Sequence, residues 1–595
     1  MIEPTEVVRR SLEALHPQGV QPDVLPVCDR TAITTETVRK AILLLSKGAS
    51  PGLDGWTREL LCPILDDYAT LVELTAVVDD IVRQDIDDKS REMLMGAVLV
   101  PFVKPDESLR PIAMGSCLIK LAEYAALLTV PQEVIAGQFP SMQYGVGGNR
   151  EEAVREIREA VAETGDMVAL DFANAYNTIS RGEVVARMRE NRPLAALYGM
   201  VNLLMQHARL VCAWQGKAEF EVMSTEGLRQ GGVLSPLLFA MTIHPHLVAV
   251  QGAFNVVIVA YLDDVTIIGP DCVAASRELI RRLAACGLRP NMRKSFRFCL
   301  PHLATESEFS TITDGAVKIL GAAVTLPESD GIRIQQSMEA AEVVVAELVE
   351  KSRPFFEAMS APTFSLWARF HILRKCSVSR IVSLLRLHDP SITARQAAVF
   401  DSMLGIAVDS VVGWGTFADN TARLILELPS RMGGLGLRSA TAVARVAHLA
   451  YEDGERQQEL MSAEDAVILD RLRQQLSAEE LVLLDAHARA PVASCAYPVS
   501  DAAMKTALRQ RVFAEVIPGI PNASVHGSTA AHGNPRIARH DEVKELLARL
   551  AEAEGWQTSV EPRNMSAVNR ARPDVIFVKP GGPRKACLKT LARTR

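Results

Sequence analysis

Two adjacent aspartates set between β-branched runs constrain this chain more than any other stretch. Phe254-Asn255-Val256-Val257-Ile258-Val259-Ala260 leads into Tyr261-Leu262-Asp263-Asp264, and Val265-Thr266-Ile267-Ile268 returns to Gly269-Pro270. Two short apolar runs flanking a tight turn predict a β-hairpin. Its tip sets like charges side by side between segments that are to be buried. Such charges raise each other's pKa and cost folding energy until a cation neutralises them. Hard oxygen ligands of this kind select Mg²⁺ or Mn²⁺. An isolated Asp-Asp pair also serves as an ordinary polar turn, so the metal reading depends on the rest of the chain.

At 595 residues the chain is long enough for more than one domain, and with 48% hydrophobic and 23% charged residues it is globular rather than disordered. A formal net charge of −7 excludes a generally basic, nucleic-acid-coating surface, so contacts to phosphate backbones have to be sought in local basic stretches. Ten cysteines run from Cys28 to Cys587 without a C-x-x-C pair. That spacing argues against a zinc knuckle or a disulfide framework and fits a reducing setting inside the cell, nucleus included. Met1-Ile2-Glu3-Pro4 lacks the basic and apolar regions of a signal peptide. No apolar run reaches the length of a membrane span; the expectation is a soluble, non-secreted protein without membrane contact.

Along the chain, residues 1–47 read as a helical extension, with Thr34 or Thr35 capping a segment that carries Val38, Ile42, Leu43 and Leu44. A dense turn, Gly48 to Gly55, precedes a helix expected from Trp56. Ala97 to Val103 reads as a strand, Lys104 to Ser108 as a turn, and Arg110 to Ala113 as the return. Lys104 and Arg110 at the two shoulders of that hairpin suit an anionic ligand such as a triphosphate, although taken alone the feature is a solvated surface hairpin. Gln143-Tyr144-Gly145-Val146-Gly147-Gly148 is a glycine-rich loop without the lysine or spacing of a P-loop, so it is not an ATP site.

Met167 to Leu170 is a short buried strand ending in Asp171, followed by Phe172 and Tyr176. If this strand lies beside the hairpin, Asp171 meets Asp263. Three clustered carboxylates can then clamp two metal ions about 3.5–4 Å apart, the arrangement that serves in-line phosphoryl transfer. Leu228-Arg229-Gln230-Gly231-Gly232 leads into Ser235-Pro236, which reads as an N-cap with proline at the first helical position. Gly287 to Lys294 is a basic turn, and Val317 to Gly321 another short strand. Between Lys351 and Pro390 there are seven Lys/Arg against two Asp/Glu, on segments read as helices. Such a stretch suits a phosphate backbone, or else a solvated helix face. Leu428 to Leu437 is a glycine-rich loop, residues 455–490 are helical and charge-mixed, and 515–535 have the composition of a linker.

Taken in order, the blocks between residues 48 and 325 resemble the reverse transcriptase family of palm polymerases. Asp171 with Tyr176 resembles the first catalytic block, Leu228 to Gly231 with Ser235-Pro236 the template and nucleotide block, and Tyr261 to Asp264 the catalytic hairpin. Gly287 to Lys294 and Val317 to Gly321 are similar to the two blocks that follow, the second being the primer grip. The resemblance implies an α+β, right-hand architecture of palm, fingers and thumb. It implies an RNA-directed DNA polymerase that uses two Mg²⁺ or Mn²⁺ ions, an RNA template, a DNA primer and dNTPs. Asp171 and Asp263 would hold both ions with the Phe172 carbonyl, and Asp264 would support them. Lys104 and Arg110 would contact the triphosphate, and Gln230 would lie under the template and incoming nucleotide. Tyr176 would occlude a 2′-hydroxyl. An RNA-dependent RNA polymerase would carry a polar side chain for that hydroxyl and a glycine before its paired acids, and this chain has neither.

Within the family, the Gly48–Gly55 and Gln143–Gly148 blocks and the Gly433–Leu437 loop resemble non-LTR retrotransposons and group II intron proteins. Arg572-Pro573-Asp574 resembles the Pro-Asp strand of the restriction-like endonuclease of site-specific non-LTR elements, enzymes that nick a target and prime cDNA from the nick. Non-LTR members more often carry Phe-Ala where this chain has Tyr261-Leu262. Six Lys/Arg and no acid follow Asp574, which implies a truncated nuclease remnant unable to cut, in a fragment of a longer element. The implied domains are residues 1–47, an N-terminal helical extension; 48–330, fingers and palm; 331–440, a helical thumb; 441–535, a helical connector and linker; and 536–595, a small partial α/β nuclease. The alternatives are a catalytically silent RNA-binding remnant of the polymerase fold and an intron-type maturase.

Overall fold

The computed structural model describes residues 3, 5–26, 32–103, 109–139, 141–146, 148–214, 217–327, 331–413, 420–453, 457–478, 480–481 and 484, together with Leu508 and strands at 557–560, 575–578 and 587–588. The chain divides into two compact units, Met1–Val344 and Val345–Arg595.

The first unit holds two main sheets. One contains β1 (Ala97–Val103), β2 (Leu109–Gly115), β4 (Ala208–Trp214) and β5 (Lys217–Ser224) in the order β2-β1-β4-β5, with β1 and β4 parallel. The hairpin expected around residues 97–113 is therefore present, with Arg110 opposite Phe102. The helix Glu6–Ala14 lays Val8 and Leu12 against Ala97, Leu99, Leu210 and Val222 of this sheet.

The other sheet contains β3 (Asp166–Leu170), β6 (Val257–Tyr261), β7 (Asp264–Ile268), β8 (Phe296–Cys299) and β9 (Ser310–Ile312), in the order β6-β7-β3-β8-β9. The runs of β3, β6 and β7 are largely apolar because both faces of the sheet are covered there. Val168, Leu170, Ile258, Ala260, Val265 and Ile267 enter the large core on one face; Met167, Val259, Ile268 and Phe298 pack on the other with Ile157 and Val161 of the helix Arg150–Thr164. That alternation follows the two-residue period of a strand, and it explains why these segments lack the polar-apolar alternation of a half-exposed strand. A separate hairpin of β10 (Ala316–Ile319) and β11 (Ala322–Thr325) adds Val317, Ile319 and Val324 to the second face.

Several local expectations meet a different solution. Thr34 does cap the helix Thr35–Leu44, but the helix after Gly55 begins at Arg58 and passes into a 3-10 turn at Cys62–Asp66, where Pro63 removes a donor. Ser235 is not an N-cap: the helix Ser235–Ala253 starts at Ser235 itself, and the Leu234 N–H donates to the buried carboxylate of Glu123 at 2.8 Å. The N-terminal segment is also tied to later helices, with Asn174 donating to the Leu15 carbonyl and Asn202 paired through its amide with the Leu25 backbone.

The second unit is helical where described between residues 353 and 475. Helices Arg353–Ser360, Leu366–Cys376, Val382–Leu387, Pro390–Val412, Asn420–Glu427 and Ala440–Asp453 enclose a core around Phe356, Phe370, Phe400 and Leu404 that runs from Val345 to Leu508. Within the basic 351–390 stretch, Arg369 points inward and donates to the Met359 and Ser360 carbonyls, so it is no phosphate contact. The Leu428–Leu437 loop folds back on the helix Asn420–Glu427 through backbone bonds from Leu435 and Leu437, and closes on itself from Gly436 to Leu428. Gly434 there leaves no room for a Cβ beside the Leu428 carbonyl. Of the C-terminal segment, strands Gln557–Val560, Val575–Val578 and Cys587–Leu588 form an antiparallel sheet; Asp574 lies outside the described residues. No described helix is long and apolar enough to cross a membrane.

One buried ion pair fixes the start of β3. Arg297 on β8 donates to both Asp166 oxygens, at 2.9 and 2.6 Å, with both side chains shielded from water. Asp166→Ala leaves a buried guanidinium without its charge partner, and we expect a loss of about 3–5 kcal/mol in the denaturant-measured stability of the first unit. The double change Asp166→Leu with Arg297→Met removes both charges and should cost clearly less.

Candidate active site at the end of the five-stranded sheet

Sheet order and register decide which acids meet. β3 and β7 are neighbours, and the antiparallel pairing that ends at Leu170 opposite Val265 sets the next positions, Asp171 and Asp264, facing each other at one end of the sheet. Tyr261 pairs with Asp264, so Leu262 and Asp263 form the two-residue turn between β6 and β7. Acids far apart in sequence thus share one sheet end.

The electrostatics record their proximity. The Asp263 carboxyl is pushed up from its ordinary value by burial first and then by the Asp171 charge, while its own backbone hydrogen bond and Arg110 oppose the shift. The Asp264 carboxyl is pushed up to about 6 by loss of hydration and by the charges of Asp263 and Asp171. Asp264 keeps much of its solvent contact, so the repulsion from its two neighbours is the part of that shift a cation would relieve. Among the described residues, no three His, Cys, Asp or Glu side chains stand ready to hold a metal ion unaided. The donors that do meet here are hard oxygens, which suit Mg²⁺ or Mn²⁺ shared with a ligand's phosphates, the usual way Mg²⁺ is held.

Asp171 is oriented by the turn that follows the helix Cys272–Ala285. The Asn291 side-chain amide donates to one Asp171 carboxylate oxygen at 2.9 Å, and the Asn291 backbone N–H donates to the Asp171 carbonyl. The Asp171 N–H in turn donates to the Ser295 hydroxyl. Only one carboxylate oxygen is engaged by Asn291, which leaves the other for a cation. Gly287, at φ +81°, passes against the Thr178 carbonyl, where a Cβ would sit 2.2 Å away. The sequence marked this segment for its basic residues, yet Asn291 and Ser295 make the contacts; an Asn and a Ser following Gly-Leu are the signal that was there to be read.

Beside the acids, the Tyr176 ring stacks on buried Phe239 with centroids 4.8 Å apart and planes 13° from parallel. Burial, and next the Asp263 charge, hold the Tyr176 phenol in its neutral form. Leu228 donates its backbone N–H to the Tyr176 carbonyl, and Gly227, at φ +74°, lies flush on the Asn177 backbone. Gln230 follows, partly buried, in the turn before the helix Ser235–Ala253. Arg229 turns inward to the Met95 carbonyl and occupies the space left by Gly115. Phe172 is buried, with its backbone bridged to Pro290. Of the two cations expected at the hairpin shoulders, the Arg110 charge reaches Asp263, and Lys104 lies outside the described residues. Behind the turn, the Leu262 N–H donates to the Gln143 side-chain oxygen at 2.9 Å.

Residues 102–324 match the family model of the reverse transcriptase (RNA-dependent DNA polymerase). Over 567 residues the chain is 32% identical to the retrotransposable element SLACS 132 kDa protein of Trypanosoma brucei gambiense, an alignment that covers 92% of this chain and 46% of that protein. The chain therefore spans less than half the length of that relative.

A carboxyl whose folded pKa stands above its unfolded value binds a proton more readily when folded. The penalty from Asp264 is absent below its ordinary value of 3.8, grows as pH rises, and is complete above about 6. We expect Asp264→Asn to raise the thermal midpoint over wild type by an amount that grows across that window. Saturating Mn²⁺ should shrink the difference at neutral pH, because the cation removes the same repulsion. A midpoint difference independent of pH and of Mn²⁺ would contradict the coupling of the three acids.

Proposed function

We propose that this chain is a reverse transcriptase of the kind carried by non-LTR retrotransposons, on the match of residues 102–324 and the likeness to a retrotransposable element protein, and that it copies RNA into DNA by two-metal phosphoryl transfer during target-primed retrotransposition. The observation that carries the reading is the β3–β7 register that brings Asp171 to Asp263 and Asp264. In this proposal Asp171 and Asp263 hold two Mg²⁺ or Mn²⁺ ions together with the Phe172 carbonyl, and Asp264 supports them. The ions, when bound, neutralise phosphate charge and activate the primer hydroxyl.

The protein's own groups position the reactants. Arg110 and Lys104 meet the triphosphate, Gln230 lies beneath the templating pair, and the Tyr176 ring, backed by Phe239, fills the space a ribose 2′-hydroxyl would need. The two sheets of the first unit are then fingers and palm, the β10–β11 hairpin is the primer grip, and the helical unit supplies thumb and connector. The partners are an RNA template, a DNA primer or nicked target, and dNTPs. A silent RNA-binding remnant is the weaker reading, because loss of function gives no reason to keep three mutually repelling acids in register.

Primer extension on poly(rA)/oligo(dT) with Mg²⁺ tests the proposal: wild type should incorporate dTTP, and Asp263→Asn should lose at least about 10²-fold in rate. Tyr176→Ala should relax discrimination against rNTPs while retaining dNTP incorporation. No incorporation by wild type would defeat the enzyme reading, and unchanged rNTP exclusion would defeat the gate.

A further inference from the structure

The turn between β6 and β7 carries an anomaly that the acids do not explain. Leu262, the first of its two residues, has φ +59°, a region that is strained for a branched side chain and persists only where the surroundings impose it. Two-residue hairpins place glycine at such a position for this reason. The surroundings are supplied by the loop at Gln143–Gly145. Its backbone runs along the end of β6, with Ala260 donating to the Met142 carbonyl at 2.7 Å and Tyr144 donating to the Ala260 carbonyl at 2.8 Å. From that strand-like bridge the Gln143 side chain reaches the turn, where its oxygen accepts the Leu262 N–H at 2.9 Å and the Gly145 N–H at 3.4 Å. Gln143 is 3% exposed, so the bond is shielded from water.

Gly145 completes the fit. A Cβ there would stand 2.6 Å from the Leu262 Cγ and 2.9 Å from its backbone nitrogen. The Leu262 side chain thus lies in the space that residue 145 leaves empty, and the Leu262 backbone hangs from residue 143. Both contacts act on the residue that immediately precedes Asp263.

We infer that the Gln143–Gly145 loop is a brace that sets the backbone of the acid-bearing turn, with Gln143 a positioning residue for Asp263 through the Leu262 N–H. This inference rests on the polymerase reading for its catalytic consequence, though not for the brace itself. Mg²⁺ demands near-ideal octahedral geometry, so a turn released from its brace discriminates against Mg²⁺ more than against Mn²⁺.

Gln143→Met, which keeps the length of the side chain and removes the acceptor, tests the inference on the full chain, and Gly145→Ala pushes the same turn by an independent route. Hydrogen–deuterium exchange of a peptide spanning residues 258–266 reads the brace without any need for activity. In Gln143→Met the Leu262 amide should exchange about tenfold faster than in wild type, with the thermal midpoint lowered by no more than a few degrees. In primer extension, kcat with Mg²⁺ should fall about 10²-fold, KM for the dNTP should stay within about threefold, and Mn²⁺ should recover most of the loss. Gly145→Ala should show the same metal preference. Equal exchange at Leu262 in wild type and Gln143→Met would overturn the brace. Faster exchange with an unchanged Mg²⁺/Mn²⁺ activity ratio would overturn the positioning role. If wild type extends no primer, the polymerase reading has failed, and the exchange experiment alone upholds or overturns the brace.

Discussion

The pairing of β3 with β7 is the constraint on which the rest depends, because a shift of one residue would separate Asp171 from the hairpin acids. Ordinarily a sheet fixes register by having one apolar face, so that slippage exposes the core. Here both faces are apolar, and hydrophobic alternation specifies register weakly. Polar devices take over at the two ends of β3. At its start, Asp166 is gripped by Arg297 on the neighbouring β8, and its carbonyl accepts the Gly269 N–H at the far end of β7. At its finish, Asn291 and Ser295 hold Asp171 itself. The buried ion pair adds specificity more than stability, since its desolvation offsets much of its attraction.

What the sequence made legible followed from local periodicity and turn chemistry. The β-branched runs around Asp263-Asp264, the strand before Asp171 and the Ala97–Gly115 hairpin are encoded within a few residues, and they form where the pattern places them. The Thr34 cap is local in the same way. The contacts that orient these parts are not local. Glu123 caps a helix 111 residues away and takes the role that Ser235 would fill by spacing alone. Asn291 reaches back 120 residues to Asp171, and Gln143 reaches forward 119 to Leu262. A single sequence carries no signal linking such pairs. Nor does a count of charges say which way they face: Arg369 sits in a basic stretch yet serves the carbonyl ends of its own bundle.

The same inward turn recurs beside the candidate site and bears on its chemistry. Arg229, embedded in the block expected to meet nucleotide, reaches the Met95 carbonyl instead. Arg181 is buried among the carbonyls of Gln206, Ser224 and Gly227, its pKa lowered to about 10 by desolvation, with Glu226 opposing that shift. These guanidiniums are spent mostly on backbone acceptors inside the first unit. The cation whose charge does reach Asp263 is Arg110. In the proposed reaction three carboxylates and a triphosphate would therefore face one another with little positive charge from these arginines. Coulomb repulsion among so many anions at a few ångströms is large, and among the described residues Arg110 opposes it at Asp263. In the proposed reaction, divalent ions shared between the carboxylates and the phosphates would relieve the same repulsion that raises the Asp263 and Asp264 carboxyls.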